Sequence, residues 1–284
     1  MKIAVGSWLL LTTLVQCQLG ASSTCGQSSA LRRWEPLLGG RRAMGRIVGG
    51  EQTADCSVVP WQVQLRVGKW QCGGSVLSKQ HVLTAAHCLR KISYNPKFVK
   101  VRVAEHNLKE AGALEREVEV AGIHVHQAYN VATKEHDIAI LTLKETLEYN
   151  GCVAPVCLDP TFTPNGHDCI VAGWGHTSFL GRSSKVLKMT KVQAYPGSDC
   201  RARFGISDHD YLSNTALQLC AGSVNGGTGT CQGDSGGPLV CWSNGRYVQA
   251  GLVSFAEGCG QANWPTVYTN VPAHFDWIMG KIRG

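Results

Sequence analysis

Short stretches in which apolar and polar residues alternate recur along most of this chain, and they limit its fold more than any other feature of the sequence. Residues 61–67, WQVQLRV, alternate strictly, and Val99, Val101 and Val103 repeat the pattern. Alternation with a period of two is typical of a half-buried β-strand. Gly, Asn and Pro separate these stretches about every ten residues, and residues 137–143 form a more uniformly apolar strand. The sequence therefore predicts an all-β body, built as an antiparallel barrel or sandwich.

The C-terminal residues follow a different period. Phe275, Ile278, Met279 and Ile282 are spaced i, i+3, i+4 and i+7, which places them on one face of an α-helix. No other segment shows this spacing, and the chain has neither a repeat of fixed length nor a βαβ alternation. The sequence thus predicts a single helix, at the C-terminus of an otherwise all-β protein.

The N-terminus has the pattern of a secretory signal peptide. Residues 1–20 carry one early lysine and an apolar run from Ile3 to about Val15. We predict a signal peptide over residues 1–17, with cleavage at the latest after residue 20. A membrane anchor is disfavoured because this run is shorter than a bilayer-spanning helix, and no later apolar segment is long enough either. We therefore expect a secreted, soluble, extracellular protein that does not contact a membrane.

Residues 21–46 are rich in Ser, Gly and Arg and lack periodic apolar positions, which predicts an exposed linker. The chain has a net charge of +7, from 27 basic and 20 acidic residues. Residues 1–46 contain six of the basic residues and one of the acidic ones, so 21 basic and 19 acidic residues remain beyond them. A net charge of +2 on the main body does not predict a nucleic-acid-binding protein.

Twelve of the thirteen cysteines lie beyond the predicted signal peptide. An even number in a secreted chain favours disulfides, and we expect six. A metal cluster is disfavoured, because no CxxC pair and no Cys/His group with zinc spacing is present. The twelve are Cys25, Cys56, Cys72, Cys88, Cys152, Cys157, Cys169, Cys200, Cys220, Cys231, Cys241 and Cys259.

Three separate motifs carry residues suited to nucleophilic catalysis. Ser235 lies in GDSGGP, where small neighbours leave its hydroxyl accessible. A serine needs a base to take its proton and a group that orients the base, and His87 in LTAAHC and Asp137 in HDIAIL are the candidates. Each residue alone has a structural explanation: a histidine beside a disulfide, an aspartate at the start of a strand, a glycine-rich turn. Their joint occurrence favours catalysis.

Six motifs together resemble the chymotrypsin-like serine proteases. They are RIVGG (46–50), LTAAHC (83–88), DIAIL (137–141), AGWG (172–175), GDSGGP (233–238) and PTVYTNV (265–271). The resemblance extends over residues 47–284, which it implies to be a serine endopeptidase domain. It also implies two six-stranded antiparallel β-barrels with a C-terminal helix and an active site in the cleft between them.

The resemblance assigns a role to each candidate. His87 would be the general base and acid, Asp137 the residue that orients it, and Ser235 the nucleophile that forms the acyl-enzyme. The backbone N–H groups of Gly233 and Ser235 would form the oxyanion hole. Ser254 would lie beside Asp137 and hydrogen-bond its carboxylate.

The same family is made as inactive precursors, which gives residues 18–46 the role of an activation propeptide. Cleavage after Arg46 would free the α-amino group of Ile47. This new cation would pair with Asp234, next to the nucleophile, and order the oxyanion hole and the pocket walls. The cleavage site is identified by the adjoining IVGG.

Disulfide pairs also follow from the resemblance. Four are common to the family: Cys72–Cys88, Cys169–Cys241, Cys200–Cys220 and Cys231–Cys259. A fifth, Cys25–Cys157, resembles the bridge that keeps a chymotrypsinogen leader attached after activation. Cys56 and Cys152 remain, and their pairing would depart from the usual family set.

Substrate preference depends on the pocket residues that the family places near the nucleophile. Trypsin-like members have an aspartate six residues before the nucleophile, where this chain has Gly229. Two positions that are glycine in wide pockets correspond to Ala256 and Thr266, as in the pancreatic elastases. We therefore expect cleavage after small or medium aliphatic residues. Because such an enzyme should cut poorly after Arg46, we expect a separate trypsin-like protease to activate it.

The loop of residues 105–115 resembles the calcium loop of trypsin and elastase. Glu105 and Glu115 would supply carboxylates, and the carbonyl groups of Asn107 and Glu110 would complete a site of hard oxygen ligands. The alternative is an exposed acidic loop offset by neighbouring basic residues. No cofactor is required for the chemistry, so calcium would be structural.

Protein or peptide substrates, the activating protease and protein protease inhibitors are the expected partners of a monomeric enzyme. The main alternative is a catalytically silent protease-fold protein that works as a cationic binding or host-defence module. It is disfavoured because His87, Asp137 and Ser235 are all present. An adhesive disulfide-rich module has no motif in its favour.

Overall fold

The computed structural model of the chain describes residues 25–34, 50–205 and 212–284. The predicted signal peptide and the predicted cleavage point between Arg46 and Ile47 lie outside these residues. No described helix is long and apolar enough to cross a membrane.

The described residues are mostly β-strands. The strands are β1 (Glu51–Gln52), β2 (Gln62–Val67), β3 (Trp70–Val76), β4 (His81–Thr84), β5 (Val99–Val103), β6 (Arg116–Val125), β7 (Ala139–Leu143), β8 (His167–Gly173), β9 (Lys188–Pro196), β10 (Gln218–Gly222), β11 (Pro238–Ser243), β12 (Arg246–Phe255) and β13 (Thr266–Asn270). The helices are α1 (Ser29–Trp34), α2 (Ala86–Arg90), α3 (Gly197–Phe204) and α4 (Phe275–Arg283).

Six strands close into the first barrel, in the antiparallel order β2-β3-β4-β7-β6-β5. The alternation in β2 places Val63, Leu65 and Val67 inside, fully buried. Gln62 and Gln64 are buried as well, although their positions in the alternation face outward. The amide of Gln62 lies close to Gly237, directly before the second-barrel strand β11, and that of Gln64 donates to Gln71 Oε1 in β3 at 3.1 Å.

The second barrel contains β8, β9, β10, β13, β12 and β11, and the pairing of β8 with β9 closes it. Strand β1 adds to the outer edge of β9. The predicted fold of two six-stranded antiparallel barrels with a C-terminal helix is therefore confirmed. Buried apolar residues from the inner faces of the strands form a separate core in each barrel.

All six expected disulfides are present: five pairs are those that the family resemblance implied, and the sixth joins the two cysteines that remained. They are Cys25–Cys157, Cys56–Cys152, Cys72–Cys88, Cys169–Cys241, Cys200–Cys220 and Cys231–Cys259. The bridge between Cys56 and Cys152 joins the chain before β2 to the segment that links the two barrels.

The prediction of a single helix was wrong. Helix α4 is present where the i, i+3, i+4 spacing placed it, and Ile278 is its fully buried residue. The three other helices are only five to eight residues long. A helix of so few residues does not repeat its apolar positions often enough to show a period.

The prediction of an exposed linker was also wrong for residues 25–34. Leu31 in α1 is fully buried and packs in a cluster that includes Trp61 and Tyr247. Ser28 Oγ donates to the carbonyl of Val58 at 2.8 Å and accepts from the N–H of Leu31. One disulfide and one buried leucine thus fix residues 25–34 to the rest of the protein, although this segment has no periodic apolar pattern.

Candidate active site

His87 is fixed at the edge of the first barrel by a disulfide and by hydrogen bonds. It lies in α2, which the bridge between Cys72 and Cys88 ties to β3. Its backbone N–H donates to Asp137 Oδ1 at 2.8 Å, and its Nδ1 lies 2.7 Å from Asp137 Oδ2. Because an ionised carboxylate only accepts hydrogen bonds, Nδ1 carries the hydrogen and Nε2 keeps a lone pair. His87 is therefore oriented as a base.

Asp137 lies just before β7, fully buried and surrounded by donors. Ser254 Oγ donates to its Oδ2 at 2.6 Å, in addition to the two bonds from His87. Burial would raise the pKa of this carboxyl, but the nearby His87 and the hydrogen bonds from His87 and Ser254 outweigh burial and hold the pKa below its ordinary value. Asp137 is therefore an anion that both orients His87 and stabilises its protonated form.

Ser235 lies on the second barrel, in the turn that precedes β11. The N–H of Gly73 in β3 donates to the carbonyl of Ser235 at 2.8 Å, which joins this turn to the first barrel. Gly236 has φ 75°, and a Cβ there would collide with Thr84. Only glycine allows this close approach of the two barrels. Among the described residues no hydrogen bond joins Ser235 Oγ to His87, a bond that often forms only when substrate is present.

The expected oxyanion hole consists of two backbone N–H groups in the same turn. Gly233 has φ 97°, a conformation that favours glycine. Within the described part of the chain, neither the N–H of Gly233 nor that of Ser235 donates to another residue. Both donors therefore remain available to an oxygen anion at the reacting carbon.

Asp234 is buried between Ser235 and the motif AGWG. Its Oδ1 accepts from the N–H of Gly175 at 2.8 Å, and its Oδ2 accepts from the N–H of Cys231 at 3.0 Å. Burial raises the pKa of this carboxyl to about 6, although the two backbone donors act in the opposite direction. No ion pair of the described residues includes Asp234. A cation placed beside it would favour its ionised form.

Two glycines that had no predicted role make room for Asp234. A Cβ on Gly173 or on Gly175 would collide with the carboxylate of Asp234. The motif AGWG was part of the family resemblance, but its chemistry was not apparent from the residues. A glycine on either side of a tryptophan becomes informative only when the structure shows which side chain fills the space.

A small pocket opens beside Ser235 on the second barrel. Its volume is about 100 Å³, and it is lined by residues 230–232, Ser235, residues 253–256, Gly258 and Thr266. Thr230 and Thr266 lie across from each other, with their hydroxyl oxygens 3.0 Å apart. Thr230 is a pocket residue that sequence reasoning missed, because it comes directly after the position compared with trypsin.

Three of the four predicted pocket residues line the pocket, and the fourth, Gly229, does not. Ala256 and Thr266 line the pocket, and Ser254 lines it while donating to Asp137. Gly229 is buried behind the lining, and a Cβ there would lie 4.0 Å from Thr266 Oγ1. The pocket wall thus carries a threonine side chain next to a position that has no side chain at all.

In the predicted calcium loop, both carboxylates lie near one arginine. Glu105 and Glu115 face the guanidinium of Arg102, whose Nη1 lies 3.4 Å from Glu105 Oε2 and 4.0 Å from Glu115 Oε1. Burial and the neighbouring Glu115 raise the pKa of Glu105 to about 7. The backbone carbonyl of Asn107, one of the two predicted carbonyl ligands, accepts from the N–H of Glu110 at 2.9 Å. Among the described residues, no group of three or more His, Cys, Asp and Glu is arranged to hold a metal ion.

Comparison with known proteins places the chain among proteases. The family model described as Trypsin matches residues 47–278. Trypsin 5G1 of Aedes aegypti is 37% identical over 278 residues, which cover 95% of this chain and 96% of that protein. Trypsin of Sus scrofa is 35% identical over 238 residues, or 84% of this chain and 96% of that protein. Coagulation factor XI of Bos taurus is 35% identical over 84% of this chain, which spans only 38% of its length.

Proposed function

The chain belongs to the trypsin family of serine endopeptidases, and from that premise we propose that it is a secreted protease, made as a zymogen, that cleaves after small or medium aliphatic residues. The observation that carries the specificity is the pocket beside Ser235, which holds about 100 Å³ and is narrowed by Thr266. The family relationship supports the chemistry, and the pocket residues of this chain support the choice of substrate.

The proposed chemistry begins with a proton transfer within the triad. Ser235 Oγ attacks the carbonyl carbon of the scissile peptide bond while its proton moves to His87 Nε2. The positive charge that forms on His87 is stabilised by Asp137, whose Oδ2 lies 2.7 Å from Nδ1. The N–H groups of Gly233 and Ser235 stabilise the negative oxygen of the tetrahedral intermediate.

The second half of the reaction returns the proton. The carbon–nitrogen bond breaks, His87 Nε2 gives its proton to the leaving amine, and an acyl-enzyme remains on Ser235. Water then takes the place of the amine and attacks the acyl carbon while His87 Nε2 takes one of its protons. As the ester bond breaks, His87 returns this proton to Ser235 Oγ, and the carboxylic acid and free Ser235 are released. A serine-reactive fluorophosphonate should label Ser235 after activation, and absence of labelling in activated protein would support the catalytically silent alternative.

The specificity proposal depends on space and charge. A cavity of roughly 150 Å³ is large enough for a benzene ring, and this pocket is smaller. Gly229 stands where trypsins have an aspartate, so no carboxylate is supplied there for a substrate's Arg or Lys. A peptide panel that varies only the residue before the scissile bond tests the proposal. We expect Ala and Val to be preferred, and preferred cleavage after Arg or Phe would overturn it.

Activation is proposed to depend on the bond between Arg46 and Ile47. The freed α-amino group would supply the cation that Asp234 lacks among the described residues, and so would order the turn that contains Gly233 and Ser235. A pocket that excludes Arg requires a separate trypsin-like activating protease. Purified uncut chain should stay inactive on prolonged storage and become active on addition of trypsin. Self-activation with the new N-terminus at Ile47 would contradict this proposal.

Calcium binding at residues 105–115 remains a separate proposal. One oxygen of Glu105 is buried without a hydrogen-bond partner, which fits a cation, whereas the guanidinium of Arg102 already supplies positive charge there. A calcium ion would therefore have to be accommodated beside Arg102. Millimolar calcium should raise the melting temperature of the wild-type protein and leave that of a Glu105→Gln, Glu115→Gln variant unchanged. No rise in the wild type would remove the ion from the proposal.

A further inference from the structure

Basic residues are concentrated in one part of the first barrel. Residues 56–104 contain eight basic residues and no acidic residue. Arg66, Lys100 and Arg102 form ion pairs with glutamates of residues 105–119. Within the described chain, the remaining basic residues of this segment form no ion pair: Lys69, Lys79, Arg90, Lys91 and Lys97. A modest net charge on the whole body therefore conceals a local positive surface.

Two of these lysines lie against an exposed tryptophan. Trp70 begins β3 at the tip of the β2–β3 hairpin, and it is 47% exposed. The Nζ of Lys91 lies 3.6 Å from the centre of its ring, and the Nζ of Lys69 lies 5.4 Å from it. An ammonium group over an aromatic face is held there by the ring electrons and keeps its outer side open to an anion. We call these three residues the Lys–Trp rim.

The Lys–Trp rim borders the catalytic centre. Gln71, next to Trp70, has its Nε2 3.5 Å from the point where a Cβ of Gly233 would lie. The disulfide between Cys72 and Cys88 joins the strand of Trp70 to α2, which ends directly before Lys91. The rim thus lies on the side of His87 and the oxyanion hole, whereas the substrate pocket is built by the second barrel.

This position determines which part of a substrate the rim would meet. The residue before the scissile bond enters the pocket of the second barrel, and the chain after that bond leaves in the direction of His87, which protonates the new amine. We propose that the Lys–Trp rim binds acidic side chains of the substrate on the leaving-group side of the scissile bond. This inference rests on the proposed protease function and adds a second determinant of substrate choice.

The physical basis is charge complementarity at a prearranged site. Lys69 and Lys91 have no carboxylate partner among the described residues, so an acidic substrate does not need to displace one. Trp70 offers a rigid apolar surface of the kind that is enriched where proteins bind each other. Each exposed charge pair contributes little, but two together should raise kcat/KM roughly tenfold. Salt should weaken this preference, because the groups are exposed.

The test compares two quenched fluorescent peptides that differ only after the scissile bond. Both have Ala before the bond, and the leaving-group side carries either neutral residues or two aspartates within its first four positions. With activated full-length enzyme at low salt, the acidic peptide should have the higher kcat/KM, by roughly tenfold. The ratio should approach one in molar salt and in a Lys69→Gln, Lys91→Gln variant. Trp70→Ala should reduce the ratio as well.

Lys79 provides a matched control. Its Nζ lies 5.5 Å from the ring centre of Tyr149, so it is also a lysine over an aromatic ring, but in the turn between β3 and β4. Lys79→Gln should leave the peptide ratio unchanged. A ratio near one in the wild type, or an equal loss in the Lys79→Gln variant, would overturn the inference.

Two further outcomes separate this inference from its premise and from a rival. If neither peptide is cut by activated protein, the proposed protease function fails as well. If both are cut equally, while a sulfated polysaccharide slows the wild type and spares the Lys69→Gln, Lys91→Gln variant, the rim is a polyanion site and the inference about substrate is wrong. Melting temperatures of all variants show whether a lost ratio reflects a lost fold.

Discussion

Each barrel brings a buried aspartate to the cleft, and the two carboxylates have opposite surroundings. Asp137, from the first barrel, is bonded to His87 and Ser254, and its pKa is held below the ordinary value. Asp234, from the second barrel, has two backbone donors, and burial raises its pKa to about 6. The same side chain, buried to the same extent, is an anion in one place and poorly suited to be one in the other.

The two carboxylates differ in their partners: Asp137 accepts three hydrogen bonds, two of them from His87, whereas Asp234 accepts two from backbone N–H groups. Backbone N–H groups oppose the cost of burial at Asp234 without cancelling it. At Asp137 the electrostatic interaction with His87 and the hydrogen bonds from His87 and Ser254 together outweigh this cost. Asp137 on the first barrel therefore has its stabilising partners as soon as the chain has folded. Asp234 on the second barrel does not, so an added positive charge could control its ionisation.

Asp137→Asn should have the largest effect on this comparison. An amide can donate as well as accept, so it no longer holds the hydrogen on His87 Nδ1, and kcat should fall on the order of 10⁴-fold, as in other Ser-His-Asp proteases. Steady-state kinetics on activated enzyme measure this. Asp276→Asn, on the exposed side of α4, is the matched control and should keep full activity. Retention of even a tenth of the wild-type kcat would show that Asp137 does not orient the base.

Asp234→Asn should cause the second-largest loss of activity, and this loss should be seen only in the chain cleaved after Arg46. In the uncut chain the change replaces a poorly stabilised carboxyl with a neutral group, so the melting temperature should hold or rise. After cleavage following Arg46 the new α-amino group has no partner, a cost of roughly 3–5 kcal/mol that should lower kcat/KM on the order of 10³-fold. Wild-type activity in the cleaved variant would mean that Asp234 is not the partner of Ile47.

The pH dependence of the free energy of unfolding should reveal the raised pKa of Asp234 without an activity assay. The pKa of Asp234 in the folded chain, about 6, lies above the usual value of 3.8 for an aspartate. Its contribution is fully present below the lower pKa and is lost as pH rises through the higher one, by about 3 kcal/mol. Urea unfolding of the uncut Ser235→Ala chain between these pH values should therefore show a loss that the added Asp234→Asn change removes.

A second group makes this difference measurement necessary. Burial, together with the neighbouring His136 and His274, lowers the pKa of His126 to about 4. A lowered histidine pKa destabilises the folded chain as pH falls, which is the opposite slope to that of Asp234. Glu105, with its pKa raised to about 7, contributes as well. The curve of one protein mixes all these effects, and only the difference between the two variants isolates Asp234. Identical slopes in both would show that Asp234 has an ordinary pKa.

Ser254→Ala should have the smallest effect. It leaves Asp137 with two hydrogen-bond donors, the number that Asp234 has. The change removes the donor 2.6 Å from Asp137 Oδ2 and leaves both bonds from His87 in place. A lost hydrogen bond to a charged group is worth about 1.5–3 kcal/mol, so kcat/KM should fall on the order of tenfold. Ser254→Thr keeps the hydroxyl and serves as control. No loss in the alanine variant would show that His87 alone sets the state of Asp137.

The sequence predicted the parts of this protein that depend on local pattern. Strand alternation predicted an all-β body, the family resemblance implied that it forms two barrels, and the cysteines predicted six disulfides. The motifs around His87, Asp137 and Ser235 predicted residues that the structure brings to one cleft. Each of these signals lies within a few neighbouring residues, so no knowledge of distant contacts was needed.

Contacts between distant segments could not be read in the same way. The space that Gly173 and Gly175 leave for Asp234 joins residues about sixty positions apart in the chain, and neither side reveals the other. The burial of Leu31 depends on Trp61 and Tyr247, which belong to different barrels. The Lys–Trp rim likewise becomes visible only when a hairpin tip and a helix end meet.

The packing of residues 25–34 against the protein body determines whether folding depends on protein concentration. Before any cut, α1 is part of the same chain as the surface that buries Leu31, so folding is a first-order process. If the bond after Arg46 is cut as proposed, the bridge between Cys25 and Cys157 is the covalent link between the two pieces within the described residues. A reduced and unfolded enzyme must then recover its leader from solution, and the yield of native protein should depend on concentration, whereas the uncut chain refolds independently of it.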